Sequence, residues 1–121
     1  MKESHFLNQV VRSLLAGQLK AAADPHRPRW HLAAPVGLLN DPNGFIEHDG
    51  RYHLFYQWNP LGCEHSNKGW GHVSSTDLLH WQHEPVALLP TEAYESHGCY
   101  SGSAVSDEQG RLTLIYTGNV K

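Results

Sequence analysis

The chain has 121 residues, of which 40% are hydrophobic and 17% charged, as expected for one small globular domain or for a piece of a larger one. Its 9 basic and 12 acidic residues give a formal net charge of -3 with no run of like charge, which argues against a nucleic-acid-binding protein. The apolar content also excludes a disordered tail.

Residues 5–22 are the helical candidate, because Phe6, Val10, Leu14 and Ala21 recur at helical spacing. This stretch has no long uncharged apolar core and no small-residue cleavage site, so it matches neither a signal peptide nor a membrane span. We therefore expect a cytoplasmic protein that has no membrane partner.

Proline-rich residues 24–29 predict a linker that divides the chain into two parts. Residues 1–29 would form the N-terminal helix and linker. From residue 30 onward the pattern is that of short β-strands, so we expect a single domain over residues 30–121.

Three strand pairs are predicted, and two of them are hairpins around the turn Asp49-Gly50 and the loop 107–110. The six strands cover residues 45–48, 51–57, 71–75, 81–84, 103–106 and 111–117. A meander of short antiparallel strands fits a sandwich, a barrel or a propeller, and periodicity does not choose among them.

The segment Asn40-Asp41-Pro42-Asn43-Gly44 directly precedes the first predicted strand. Pro42 fixes its own φ and pushes Asp41 toward an extended conformation, while Asn43-Gly44 tolerates positive φ, so a rigid turn at the mouth of the sheet is expected. A carboxylate held in this way is a candidate nucleophile or ligand. Taken alone, the same residues are more often an ordinary tight turn.

Cysteine and histidine give little support to a metal site. Cys63 and Cys99 are the only cysteines, neither lies at zinc-ligand spacing, and a disulfide between them is open but unsupported. Four histidines with no His-Glu-x-x-His pattern fall close together, namely His65, His72, His80 and His83. We therefore predict no metal and no other cofactor, and keep a histidine-rich metal protein as a distant alternative.

Five motifs follow one another between residues 31 and 119. They are HLAAPVGLLNDPNG at 31–44, FYQWNP at 55–60, WGH at 70–72 with DLLHW at 77–81, GCYSGSAV at 98–105 and IYTGN at 115–119. In order and spacing, this set resembles the N-terminal region of the β-fructosidases of glycoside hydrolase family 32, which include invertases and sucrose-6-phosphate hydrolases. One such motif would be weak evidence, and the resemblance depends on all five.

The resemblance implies an all-β fold, the first one to two blades of a five-bladed β-propeller. The short α-helix predicted from residue spacing would precede these blades. It implies a retaining glycosidase in which Asp41 is the catalytic nucleophile and attacks the anomeric carbon. The residues implied to contact the fructosyl unit are Asn40, Pro42, Asn43, Gln57, Trp70, Tyr100 and Ser101. The implied substrate is sucrose, sucrose 6-phosphate or a fructo-oligosaccharide.

The chemistry of these residues agrees with such roles. The side chains of Asn40 and Asn43 could hydrogen-bond the Asp41 anion, and the Gln57 amide offers both a donor and an acceptor to a sugar hydroxyl. Without the resemblance, Gln57 would be read as a solvated strand end and Trp70 as core. Tyr100-Ser101 before Gly102 would then be read as a turn.

Four positions depart from the family pattern. Leu38-Leu39 stand where Trp-Met is usual, His65 replaces a tryptophan, and Tyr100 replaces a phenylalanine. The lost rings would stack on sugar faces, so substrate preference is in doubt. Trp58 is a candidate replacement for one of them.

The family's other two catalytic carboxylates, an Asp in an Arg-Asp-Pro motif and a Glu beside a cysteine, have no counterpart in residues 1–121. We therefore expect this chain to be a fragment whose partner is the remainder of the same enzyme, inactive and aggregation-prone when isolated. Two alternatives stay open: a non-catalytic carbohydrate-binding remnant, and a fructan-transferring relative.

Overall fold

The computed structural model describes residues 2–121 and their side chains from Ser4 onward. One helix, α1, is followed by six strands and a single 3₁₀ turn between the fourth and fifth strands. Their bounds are α1 Lys2–Ala22, β1 Leu38–His48, β2 Arg51–Asn59, β3 Gly69–Ser75, β4 Gln82–His83, the 3₁₀ turn Ala93–Glu95, β5 Gly98–Ser106 and β6 Leu112–Asn119.

The strands form two antiparallel sheets. The first has four strands in the order β1-β2-β3-β4, and the second has two, β5 and β6. The predicted meander is therefore confirmed, although β4 keeps only two residues of the four expected. The first sheet has the organisation of a complete propeller blade, and the second that of half a blade.

The β1–β2 hairpin turns as its sequence predicts. Asp49 and Gly50 both have positive φ, 50° and 75°, which is the geometry of the two-residue turn whose twist matches that of the flanking strands. His48 pairs directly with Arg51 across it. The Asp-Gly turn therefore sets the register of the first sheet.

The prediction of a tight turn at residues 40–44 was wrong. This segment lies inside β1, which begins at Leu38 rather than at Phe45. The pairing of β1 with β2 is irregular at two places, between Asn40 and Pro42 and between Asn43 and Ile46. These irregularities accommodate the residues of β1 that have no partner in β2. A bulged strand satisfies the same local preferences as a turn, because proline and positive-φ glycine both fit at bulges.

Helix α1 packs on the first sheet, as its spacing predicts, and begins three residues earlier than expected. Val10 is 2% exposed and shares a core with Tyr56, Trp58 and Val73 of the sheet. Phe6 and Leu14 flank this core, and Ala21 is half-buried. Within residues 2–121, no helix is long and apolar enough to cross a membrane.

A second core joins the two sheets. Phe55 of β2, Trp70 of β3 and Cys99 of β5 are each at most 1% exposed, and the Trp70 ring meets the Tyr116 ring of β6 edge-on. Gln57 crosses the same interface, because its Nε2 donates to the Cys99 carbonyl at 2.8 Å. These contacts fix β5 against the first sheet, and an open cleft lies beside them.

Candidate active site

A cleft of about 540 Å³ opens where the two sheets meet. Five of the residues expected to form the site line it, together with three others. The lining residues are Asn40, Asp41, Gln57, His65, Lys68, Tyr100, Ser101 and Thr117. Residues from four strands and one loop, which the sequence separates by up to 77 positions, therefore face a single volume.

Two of these side chains belong to β-bulges. Asn40 pairs with Gln57 and Pro42 with Tyr56, so Asp41 is the extra residue of β1 and has no partner in β2. Tyr100 pairs with Thr117 and Gly102 with Tyr116, so Ser101 is the extra residue of β5. A bulge re-aims its unpaired side chain, and bulges are frequent beside active sites. The two bulges face the same cleft from adjacent sheets.

Gln57 forms one wall of the cleft and is only 4% exposed. Its Nε2 is held by the Cys99 carbonyl, which fixes the plane of the amide. A fixed amide suits the recognition of a sugar hydroxyl, because the direction of its remaining donor and acceptor is set before the ligand arrives.

Lys68 is the functional candidate that sequence reasoning missed. Its side chain lines the cleft, is 3% exposed, and donates a hydrogen bond from Nζ to Asn40 Oδ1. Burial lowers the pKa of Lys68, and attraction to the Asp41 carboxylate opposes that shift. The only sequence signal was a lysine two positions before the Trp-Gly-His motif, and charge alone does not distinguish it from a surface residue.

The expected hydrogen bonds from Asn40 and Asn43 to the Asp41 carboxylate are not formed. The Asn40 oxygen accepts from Lys68, and Asn43 Nδ2 donates to the Asp41 backbone carbonyl at 3.2 Å. Asn43 thereby stabilises the bulge rather than the anion. Asp41 itself is exposed to the cleft.

Three further residues lie away from the cleft lining. Pro42 follows the bulge in β1, and Trp70 is fully buried, with its Nε1 donating to the Tyr100 carbonyl at 3.2 Å. Trp58 is not the expected replacement platform, because its ring faces the helix side of the sheet and its Nε1 donates to the Val36 carbonyl at 2.8 Å. Successive residues of a strand point to opposite faces, so Gln57 and Trp58 do not share one.

In the described part of the chain, Asp41 is the only carboxylate among the residues that line the cleft. The buried acid Glu95 has a different role: its side chain accepts hydrogen bonds from the Thr91 and Glu92 amides, both at 3.0 Å, and from the Tyr116 hydroxyl. Although burial opposes the shift, these bonds lower the pKa of Glu95. An ionised acid that anchors a turn is not placed to protonate a leaving group.

The histidines and cysteines are dispersed. Cys63 is exposed and Cys99 is buried, and both are free thiols. Among the side chains described, those of residues 4–121, no three histidine, cysteine or acidic groups are arranged to hold a metal ion. His72 instead hydrogen-bonds His53, with 2.9 Å between His72 Nε2 and His53 Nδ1.

Comparison with known proteins assigns a family to the part of the chain that carries the five sequence motifs. The model of the glycosyl hydrolases family 32 N-terminal domain matches residues 31–121. A sucrose-6-phosphate hydrolase of Salmonella typhimurium is 64% identical over 115 residues, which is 95% of this chain and 24% of that protein.

Solved structures agree with the fold. The sucrose-6-phosphate hydrolase of Lactobacillus gasseri is 44% identical and superimposes with a TM-score of 0.83, covering 90% of this chain and 22% of its own. A mutant family 32 beta-fructofuranosidase of Bombyx mori, solved in complex with sucrose, is 38% identical with a TM-score of 0.79, over 92% of this chain and 23% of its own. The chain thus spans about a quarter of the length of the relatives it matches, and its two sheets are the opening part of a β-propeller.

Proposed function

The chain belongs to glycosyl hydrolase family 32, and from this membership we propose that it carries the nucleophile of a β-fructofuranosidase. The proposed reaction is hydrolysis of the glycosidic bond of sucrose or sucrose 6-phosphate. The observation that supports it most strongly is the pair of bulges that turn Asp41 and Ser101 toward one cleft beside the buried amide of Gln57.

In this mechanism Asp41 attacks the anomeric carbon of the fructosyl unit, the bond from that carbon to the glycosidic oxygen breaks, and a general acid protonates the departing sugar. Water then hydrolyses the resulting covalent ester, so that the configuration is retained. Asp41 suits the first role because it is the carboxylate of the cleft and its side chain is accessible. Asn40, Gln57, Tyr100 and Ser101 would bind the fructosyl hydroxyls.

Pro42, Asn43 and Trp70 would act by holding the bulge and the interface between the sheets, rather than by touching the sugar. Trp70 supports this assignment, because its ring is fully buried and its Nε1 binds the backbone of Tyr100, next to Ser101. Asn43 supports it through its bond to the Asp41 backbone.

The general acid and the third carboxylate of the mechanism would come from residues beyond Lys121, which makes the rest of the same polypeptide the partner of this chain. We also propose that residues 1–29 are an accessory helix and linker, and that residues 30–121 open the catalytic propeller. A cytoplasmic location belongs to the same proposal.

Two other functions remain distinguishable by experiment. A carbohydrate-binding remnant would bind the sugars without turnover, and a fructan-transferring enzyme would convert sucrose into longer oligosaccharides. His65 stands at the cleft where the family has a tryptophan, so a stacking surface is replaced by a polar ring. We expect this replacement to affect whether the site prefers phosphorylated or free sucrose.

The direct test is Asp41→Asn in the full-length polypeptide, assayed with sucrose and with sucrose 6-phosphate. Loss of the nucleophile should lower kcat by about 10⁴-fold or more, while sugar binding by calorimetry persists. Asp49→Asn is the matched control, because Asp49 lies at the exposed hairpin tip and Asn-Gly favours the same turn. Turnover in the Asp41 variant at the rate of the control would remove Asp41 from the mechanism.

A further inference from the structure

We propose that Lys68 is a positioning residue whose ammonium group stabilises the Asp41 carboxylate relative to the ester that Asp41 forms with the sugar. This proposal rests on the function proposed above. It adds a specific role: the lysine accelerates the second step, in which Asp41 is the leaving group.

The backbone of Lys68 is held firmly between the two sheets. The Cys99 amide donates to the Lys68 carbonyl at 2.8 Å, which ties the lysine to the start of β5. A Cβ at Gly98 would lie 2.8 Å from the Lys68 Cβ, so a glycine is needed there for the two segments to approach. The origin of the side chain is therefore set by the interface.

The ammonium group ends at the residue that precedes the nucleophile in β1. Lys68 Nζ donates to Asn40 Oδ1, and Asn40 is the residue directly before the bulged Asp41. The side chain is 3% exposed and borders the same cleft as Asp41. The backbone at one end and Asn40 at the other thus hold the charge at the cleft that Asp41 also lines.

A buried lysine is costly unless a partner compensates for its lost hydration. Asn40 supplies one hydrogen bond but no charge. In the described part of the chain, Asp41 is the carboxylate that shares the cleft with Lys68. Burial lowers the pKa of Lys68, and the attraction of Asp41 for the ammonium partly offsets that shift. The charge of Asp41 therefore compensates in part for the burial of Lys68.

Formation of the covalent ester removes the negative charge of Asp41, and its hydrolysis restores that charge. In hydrolysis, a water oxygen bonds to the anomeric carbon, the bond from that carbon to an Asp41 oxygen breaks, and its electron pair returns to the carboxylate. The proton of the water passes to a carboxylate base, which we place in the remainder of the polypeptide. A neighbouring ammonium favours the ionised product of this step and slightly disfavours the first step.

Removal of the charge should therefore have a kinetic signature that a simple loss of structure lacks. Slower hydrolysis of the ester lowers kcat and KM together, because the covalent intermediate accumulates, while kcat/KM reports the first step and stays constant or rises. A merely structural role would lower kcat/KM and leave no accumulated intermediate.

The test is Lys68→Gln in the full-length polypeptide, with whichever of sucrose and sucrose 6-phosphate the wild type hydrolyses. Glutamine retains a donor for Asn40 and removes the charge. We expect kcat to fall roughly tenfold to a hundredfold and KM to fall in parallel. This loss is smaller than the roughly 10²- to 10³-fold loss that follows removal of a donor that touches the reacting oxygen. Rapid quenching followed by intact-mass measurement should show a larger fraction of fructosyl-enzyme than in the wild type.

Lys20→Gln is the matched control, because Lys20 is exposed on α1 and should keep wild-type kinetics. If Lys68→Gln does not fold, as judged by circular dichroism, Lys68→Met makes the same test with an apolar side chain of similar length. Accumulation of the intermediate in either folded variant supports the proposal.

The outcomes separate this proposal from the one on which it rests. If the wild type turns over sucrose through an adduct on Asp41, but Lys68→Gln shows wild-type kcat, KM and adduct level, the role of Lys68 is overturned and the proposed function stands. A fall in kcat/KM without accumulation also overturns it, in favour of a structural role. If the wild type forms no adduct on Asp41, both proposals fail.

Discussion

Two side chains that line the cleft are held in place by hydrogen-bond partners that are distant in the sequence. Gln57 is fixed by Cys99, which lies 42 positions away, and Asn40 by Lys68, 28 positions away. Both partners belong to the interface between the sheets. The cleft is therefore preorganised by the same contacts that hold the sheets together, which lowers the entropic cost of ordering polar groups around a ligand.

The histidine of the Trp-Gly-His motif is a second residue defined by its surroundings. His72 stacks on Phe55, with ring centroids 4.3 Å apart, and hydrogen-bonds His53. Burial lowers the pKa of His72 to about 4, and the charge of His53 adds to this shift while Glu84 opposes it. His72 is therefore neutral in the folded protein at neutral pH.

This shift predicts how stability depends on pH. The unfolded chain binds a proton at His72 near pH 6.5 and the folded chain only near 4, so the free energy of unfolding should fall as the pH is lowered through this window. The contribution is about 1–3 kcal/mol, since the ring is half-buried. Urea unfolding of the full-length polypeptide at several pH values measures it.

His72→Gln should flatten the dependence between pH 6.5 and 4, since glutamine does not titrate. His26→Gln, at an exposed position of the linker, serves as the control. A slope that stays the same in His72→Gln would show that other groups produce it.

Among the secondary-structure elements, the bulges in β1 and β5 do most to shape the cleft. Each adds one unpaired residue to a strand and so changes which side chains face the cleft. The β5 bulge depends on Gly102, where the partner strand passes very close. A Cβ there would lie 1.9 Å from the Ile115 carbonyl oxygen and 2.7 Å from the Tyr116 Cα.

Gly102→Ala should therefore force β5 and β6 apart. We expect a loss of about 1–3 kcal/mol in the free energy of unfolding from the steric overlap, together with a lower kcat/KM because Ser101 is displaced. Ser103→Ala, at the next and exposed position of β5, is the control. Both quantities can be measured on the full-length polypeptide by urea unfolding and steady-state assay, and a Gly102→Ala protein as stable and active as the control would contradict the argument.

On the scale of the whole molecule, the two sheets leave much apolar surface uncovered. Phe45, Ile115 and Trp30 are 57%, 59% and 91% exposed, and both β5 and β6 have one edge without a partner in residues 2–121. Unpaired strand edges and exposed apolar faces promote association between chains.

Residues 1–121 expressed alone should therefore form oligomers or aggregates and bind a hydrophobic dye such as ANS. Size-exclusion chromatography and thermal unfolding of the isolated chain, beside the full-length polypeptide, make the comparison. A monomer that unfolds in one cooperative transition would refute this prediction.

Much of the fold is readable from local sequence, because hairpin turns and amphipathic helices follow from the preferences of neighbouring residues. Asp49-Gly50 requires a particular turn, and the spacing of Val10 and its apolar neighbours requires a helix with one buried face. The five motifs likewise identify the family, which the comparisons confirm. They assign the nucleophile to Asp41, and this assignment stays a prediction.

Strand faces and long-range partners could be assigned only from the tertiary structure. A bulge reverses the alternation of side chains, so counting along β1 could not tell a turn at Asp41 from a bulge. Alternation along β2 separates Gln57 from Trp58, but only the packing of α1 shows that the Trp58 face is the one the helix covers. The position of Lys68 depends on how β5 packs against the loop before β3, a contact between segments about thirty residues apart. Such contacts arise from packing of the whole chain, and no short stretch of sequence encodes them.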